Sequence, residues 1–185
     1  MKITGLILAA GRSSRFGRDK RRAEGDWDGP LLHHILALYR PHFSELCAVI
    51  GPDDEFGAES CRLHAAKAVI NPQPERGIGR SLALGVAALE CDGVVIGLCD
   101  MPWISPDTIA QVRDALVRED RPVAPAIGDE IGFPRGIPSR YFAELRLLDG
   151  DRGAATVLDW RQACLIASED PGISRDIDRP EDINP

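Results

Sequence analysis

The sequence lacks the features that would place it in most alternative classes. No apolar run approaches the ~20 residues of a bilayer-crossing helix; the longest, from Ile3 to Ala10, is already interrupted at Thr4 and Gly5. The chain does not open on a basic, then apolar, then small-residue succession, so the expectation is a mature cytoplasmic protein with no membrane partner. The five cysteines (Cys47, Cys61, Cys91, Cys99, Cys164) are odd in number, widely spaced and form no CxxC. They read as reduced, buried thiols. HExxH, Cys/His metal spacing and the GxSxG elbow are absent. His33 and His34 are adjacent and so face apart on a helix, while His42 and His64 stand alone. There is no internal repeat, linker or low-complexity tract. Lysine is scarce, three against nineteen arginines.

What remains is a chain of 185 residues, 44% hydrophobic and 28% charged, enough for one globular domain with a full core, expected to span 1–185. The formal net charge of −7 argues against nucleic acid as a partner. That charge is uneven. Residues 12–22 hold Arg12, Arg15, Arg18, Lys20, Arg21 and Arg22 against Asp19 alone, a local +5 that leaves −12 elsewhere. One short basic loop in an acidic protein points to a small, strongly anionic ligand, or else to a solvated charge run.

Apolar runs at 3–9, 46–51, 68–70, 93–98, 122–127 and 164–167 read as strands, several so continuously apolar that both faces must be covered. Helical spacing occupies 30–40, 55–66, 80–90, 106–118, 139–148 and 153–160. Ser105 before Pro106 is an N-cap with proline at the first helical position, and Ser139 opens the next helix in the same capping role. This alternation predicts an α/β fold with a mostly parallel sheet, whose ligands sit outside the carboxyl ends of the strands. Informative residues should therefore follow strands directly.

Three segments meet that condition. From Leu6 to Lys20 a buried strand runs into Gly11 and a loop with Ser13, Ser14, Gly17 and alternating cations. Glycine lets backbone N–H groups approach phosphate oxygens with no Cβ in the way. Arg15 can fork onto two phosphate oxygens, and Lys20 supplies a compact point charge. Gly11 to Gly17 is one residue too long for a Walker A loop, and Arg12–Ser13 break the GxGxxG dinucleotide pattern. From Val94 to Ile104 a strand ends in Asp100, followed by Met101-Pro102. A carboxylate there either holds Mg²⁺ against a triphosphate or caps the turn. From Asn71 to Leu82, Gly77-Ile78-Gly79 deliver Ser81 to a helix start, where free N–H groups favour an anion; a plain cap would explain Ser81 equally well.

The first segment resembles the LAAGxSxRxGxxK signature of the MobA-like nucleotidyltransferases, matched at Leu8, Ala9, Ala10, Gly11, Ser13, Arg15, Gly17 and Lys20. Its Ala-Ala-Gly is similar to the molybdenum cofactor cytidylyltransferase (MocA-like) branch; the guanylyl branch typically has Ala-Gly-Gly. Cys99-Asp100-Met101-Pro102 resembles the family's GDMP motif with Cys99 for glycine. Residues 71–82 resemble its NPxxxxGxxxSL stretch, with Arg80 where serine is commoner. Residues 150–155 and 176–183 resemble its GDxGA turn and DIDTPED tail. The chain departs from the family at 21–28, which is polar where an apolar stretch is usual, and at Phe133, where the cytidylyl branch has histidine. Both regions are expected to face the acceptor.

The resemblance implies a three-layer Rossmann-like nucleotidyltransferase fold and a Mg²⁺-dependent transfer of NMP, here CMP from CTP (or GMP from GTP), to a phosphorylated acceptor. That acceptor would be molybdopterin, with pyrophosphate released and a molybdoenzyme receiving the product. It assigns Arg15, Lys20 and Asp100 to catalysis. Leu8, Ala9, Ala10, Gly11, Arg12, Ser13, Ser14, Arg15, Lys20, Asn71, Gly79, Ser81 and Asp100 go to the nucleotide, and Asp100 with Asp178 to the metal. A helix-terminal acid cluster would also explain Asp178. Two other functions stay open: transfer to a sugar phosphate or other small phosphate, suggested by the polar 21–28 stretch, and a non-catalytic molybdopterin carrier, suggested by Arg80 and Phe133.

Overall fold

The first strand, β1 (Ile3–Leu8), has all six residues buried, because neither of its faces meets water. Successive side chains of a strand point to opposite faces. Ile3 and Ile7 therefore join one core with α1 (Leu31–Tyr39), α2 (Glu55–Leu63) and α4 (Pro106–Glu119). Leu6 and Leu8 join the other with α3 (Ile78–Ala87) and the short α5 (Phe142–Leu145). In this computed structural model, which describes residues 1–11, 13 and 15–183, a sheet thus lies between two helical layers.

The remaining strands are β2 (Glu45–Ile50), β3 (Lys67–Ile70), β4 (Gly93–Leu98), β5 (Val123–Ile127), β6 (Glu130–Ile131), β7 (Arg135–Pro138) and β8 (Cys164–Ala167). Their order is β3-β2-β1-β4-β7-β5-β6, with β8 on β5. The β1–β2, β1–β4, β2–β3 and β5–β8 pairs are parallel, as the sequence predicts. β7 runs antiparallel between β4 and β5, and β6 is antiparallel to β5. The register sets Leu8 of β1 opposite both Val49 and Leu98, so β1, β2 and β4 release their chains at one level. Ala9–Gly11, Gly51 and Cys99–Asp100 consequently emerge together at the carboxyl edge.

Three expectations are corrected. Strands β6 and β7 are unforeseen: Arg-Gly-Ile-Pro offers no period-2 apolar pattern, and Gly136 is there because Leu116 of α4 presses 3.3 Å from where its Cβ would lie. The helix expected over 153–160 is two 3₁₀ turns, Ala154–Thr156 and Trp160–Gln162; Ala154, Leu158 and Trp160 still reach the second core. Residues 139–148 give only a 3₁₀ turn and the four-residue α5, and Ser139 caps nothing. Its N–H goes instead to Asp92 O at 2.8 Å. Ser105 does cap α4, accepting from the Asp107 N–H. All five cysteines are free, and Cys47, Cys61 and Cys99 are buried. Among the described residues no helix is long and apolar enough to cross a membrane.

The Tyr39 ring occupies the space over β4 that a side chain at Gly97 would need, 2.5 Å from its would-be Cβ. Tyr39 is fully buried, and its hydroxyl has no hydrogen-bond partner among the described residues. A buried hydroxyl that gives up its water without a replacement costs stability. Tyr39→Phe is therefore expected to raise the unfolding free energy by ~1 kcal/mol, seen as a higher urea midpoint at unchanged m; a lower midpoint would contradict the packing described.

Candidate functional site

The basic loop after β1 has little regular structure, and long-range contacts hold it. Lys20 Nζ lies 2.6 Å from Asp100 Oδ2 and donates to Ile177 O at 2.9 Å. Arg15 Nη1 lies 2.6 Å from Asp178 Oδ2. The Ile177 N–H donates back to Asp100 O at 2.8 Å. Asp182 Oδ2 accepts from the Asp178 and Arg179 N–H groups at 2.9 and 2.6 Å. The acidic C-terminal stretch is thereby fastened to the end of β4. Within the loop, Gly17 adopts a left-handed φ of 76°, which glycine takes without steric cost. Ser13 Oγ accepts from the Lys20 N–H at 3.3 Å, and Phe16 is anchored in the core.

Arg21, which the sequence presents as one more cation of the run, is a strap. Its Nε and Nη2 donate to the two Asp19 oxygens at 2.8 and 2.9 Å, and its Nη1 to Ala9 O at 3.2 Å and to Asp54 Oδ2. Burial alone would lower its pKa; the two carboxylates outweigh that and hold it above the usual arginine range. Nothing local in the sequence marks this role, because Asp54 lies beyond β2.

Between these parts is a cleft of about 240 Å³. Leu8–Gly11, Ser13, Lys20 and Arg21 line one wall, Pro74, Gly77, Ile78 and Ser81 the other, with Leu98–Asp100 at the end of β4. At Gly11 a Cβ would project into open space, so glycine there leaves the cleft its volume. Gly77 has φ 91°, and a Cβ there would collide with Gly150. Ser81 sits one turn into α3, whose N-cap is Gly77, so capping is not its role. Its Oγ accepts from Asn71 Nδ2 at 2.9 Å and keeps its own proton to donate.

Asn71 and Gly79 stand behind the wall. Asn71 is fully buried, holding Ser81 and accepting from the Gln73 N–H. The Gly79 N–H donates to Gly150 O at 2.9 Å, where a Cβ would clash, and Arg76 forks onto Asp149. The 149–151 turn is thus docked on the start of α3. Arg15 and Asp178 pair outside the cleft lining. Arg12 and Ser14 lie outside the described residues. Arg21, Pro74, Gly77, Ile78, Leu98 and Cys99 complete the lining without having been assigned to the site; only their neighbours in the motifs could have flagged them.

Carboxylates stand beside the cations of the cleft. Asp100 Oδ1 is buried and has no hydrogen-bond partner among the described residues. Partial desolvation, then the charges of Asp100 and Asp178, push the Asp176 carboxyl above the ordinary aspartate range. Among the described residues no three His, Cys, Asp or Glu side chains enclose a metal by themselves. Mg²⁺ characteristically uses one or two carboxylates and takes its other ligands from phosphates and water. Asp100, at the cleft with an unsatisfied oxygen, fits such an ion; Asp178 lies outside the cleft lining, paired with Arg15.

Asp54 carries two loads: it pairs with Arg21, both side chains being largely buried, and caps α2 by accepting from the Gly57 N–H at 2.9 Å. Asp54→Ala removes the cap and one of the two carboxylates on Arg21, which keeps Asp19 and Ala9 O, and is expected to cost ~2 kcal/mol. Asp54→Asn, whose amide oxygen preserves the cap, should cost less. Equal urea midpoints for the two variants would contradict the double role.

The chain matches the MobA-like NTP transferase domain over residues 5–165. It is 32% identical over 130 residues, 66% of its length, to a protein of Chloroflexus aggregans named probable molybdenum cofactor guanylyltransferase, and spans 60% of that relative. It is 29% identical to the purine catabolism protein PucB of Bacillus subtilis, covering 97% of this chain and 93% of that one. Among solved structures, Rv0371c of Mycobacterium tuberculosis superposes with a TM-score of 0.82 at 27% identity, over 98% of this chain and 95% of the other. Another structure of Rv0371c is a complex with manganese, similar in fold at a TM-score of 0.81 and 24% identity over 98% and 96% of the two chains. With the signature loop, the carboxyl-edge cleft and residues 5–165 all in agreement, the chain belongs to the MobA-like nucleotidyltransferase family.

Proposed function

We propose that the protein transfers a nucleoside monophosphate from an NTP to a phosphorylated acceptor and releases pyrophosphate. The observation that supports this most is the pairing of Lys20 with Asp100 at a glycine-lined cleft, with one buried Asp100 oxygen unsatisfied. An oxygen of the acceptor phosphate attacks the α-phosphorus, the bond from that phosphorus to the α–β bridging oxygen breaks, and the electron pair leaves with pyrophosphate. Such a transfer asks for alignment and charge neutralisation rather than covalent help from the protein.

In this reading Gly11 and its neighbours cradle the β- and γ-phosphates, and Arg15 and Lys20 stabilise the charge that builds on the transferring group. Lys20 stays aimed by its bond to Ile177 O when Asp100 turns to a cation. Ser81 donates to the nucleoside, which lies beside Leu8, Ala9 and Ala10. Asn71 and Gly79 position Ser81 and the start of α3 from behind. Asp100 and Asp178 would hold Mg²⁺, which when bound neutralises the triphosphate. The base we propose is cytosine, on the Ala9-Ala10-Gly11 sequence that is similar to the cytidylyl branch. The acceptor we propose is molybdopterin, the chemistry in the Chloroflexus relative's name.

CTP with Mg²⁺ is expected to stabilise the protein, by ~2.7 kcal/mol at a hundredfold excess over its dissociation constant, and more than GTP at the same concentration. Asp100→Asn should remove the Mg²⁺-dependent part of that gain and abolish pyrophosphate release. Stronger stabilisation by GTP overturns the base assignment. Stabilisation by neither nucleotide overturns the transfer reading, and binding without pyrophosphate release would make the protein a carrier.

A further inference from the structure

Four histidines are spread through the chain, and the fold brings two of them together outside the nucleotide cleft. His33, in the first turn of α1, has its ring centre 5.3 Å from that of His64, the residue that follows α2. His33 also stacks on Phe56 of α2, with ring centres 5.5 Å apart and planes 6° from parallel. The Arg22 guanidinium lies over Phe56 in turn, 4.1 Å from its centroid, and is paired with Asp19.

Aromatic packing explains the stack on Phe56 but not the polar edge of the ring. His33 Nε2 is buried and has no hydrogen-bond partner among the described residues. A ring nitrogen in that state has given up its water without a replacement. The neighbouring His34 shows the ordinary arrangement, its Nε2 lying 3.0 Å from Pro102 O. On His64, burial and then the adjacent His33 push the pKa below the usual histidine value, so the ring keeps a free lone pair at neutral pH. Neutral imidazoles suit Zn²⁺, Ni²⁺ and Cu²⁺, whereas Mg²⁺ takes oxygen ligands. The spacing agrees with ligation. Two imidazoles sharing one tetrahedral ion through metal–nitrogen bonds of ~2.1 Å have ring centres about 5 Å apart. Among the described residues no third His, Cys, Asp or Glu joins the pair, which leaves the other positions of the ion to water.

We propose that His33 and His64 form a site for one divalent transition-metal ion of the Zn²⁺ type, bridging α1 to the end of α2. The inference goes beyond nucleotidyl transfer and does not rest on it: the ligands here are imidazole nitrogens, those at Asp100 are carboxylate oxygens. Through Phe56 and Arg22 the ion also steadies the 3₁₀ turn Lys20–Arg22, which carries the lysine of the cleft.

The test adds Zn²⁺ to the full chain in a large excess of Mg²⁺ and follows the imidazole Cε1–H NMR signals of the four histidines. His33→Gln and His64→Gln identify the two that belong to the pair. Zn²⁺ is expected to move the His33 and His64 signals together, saturably and at one equivalent, leaving His34 and His42 in place; Mg²⁺ alone should move neither. His64→Gln, with the His34 and His42 signals at their wild-type positions as the check of folding, should weaken Zn²⁺ about tenfold or more. His64→Cys restores a ligand without restoring an aromatic ring, and should recover the affinity. Paired signals that stay in place, that move at different Zn²⁺ concentrations or that follow Mg²⁺ equally would overturn the proposal. So would a His64→Gln protein that titrates like wild type, or a His64→Cys protein no better than His64→Gln. Nucleotide-dependent stabilisation is measured without Zn²⁺, so the transfer reading and the histidine site stand or fall separately.

Discussion

The mostly buried Lys20–Asp100 ion pair holds the functional part of this molecule together, with the exposed Arg15–Asp178 pair beside it. The two join residues 80 and 163 positions apart in the chain and fasten a loop with little regular structure to the end of a central strand and to the C-terminal stretch. A carboxylate at the end of a buried strand is costly unless it is met by a cation or a donor, and Lys20 meets one oxygen of Asp100 while the other is left unsatisfied. The local +5 of residues 12–22 and the surplus of acid elsewhere are thus two sides of one arrangement. In the proposed function, each charge that closes the loop on itself is one that a triphosphate or a divalent cation takes over.

The sheet makes that arrangement possible. Because β1, β2 and β4 are parallel and in level register, the glycine loop and Asp100 leave the sheet side by side. Because both faces of those strands are buried, polar chemistry is confined to their carboxyl ends. The Arg21–Asp19–Asp54 strap then closes one side of the cleft, and the 149–151 turn backs the start of α3 that forms the other.

Much of this was legible in the residues. β1 and β4 are apolar enough on both faces to be read as central strands, and the Leu8–Lys20 and Cys99–Pro102 segments, singled out by their residue types and spacing, do meet at one cleft. What could not be read is what depends on contacts far apart in sequence. Arg21 looks like any cation until Asp54 is brought to it. Asn71 and Gly79 sit in a recognisable motif, yet one holds Ser81 and the other admits the Gly150 backbone, and neither lines the cleft. Arg-Gly-Ile-Pro is a strand only because β4 and β5 are there to pair with it. The apolar spacing of 153–160 suggested a helix, although buried side chains at Ala154, Leu158 and Trp160 serve as well on two 3₁₀ turns.

The central claim is that the Lys20–Asp100 site moves a nucleotidyl group between two substrates bound side by side. Following the α-phosphorus tests this most directly: CTP labelled at that atom, incubated with the protein, Mg²⁺ and molybdopterin. The account predicts that the label appears on the acceptor, one pyrophosphate being released for each label transferred. Label that stays in CTP, or that is recovered only as free CMP, would contradict it.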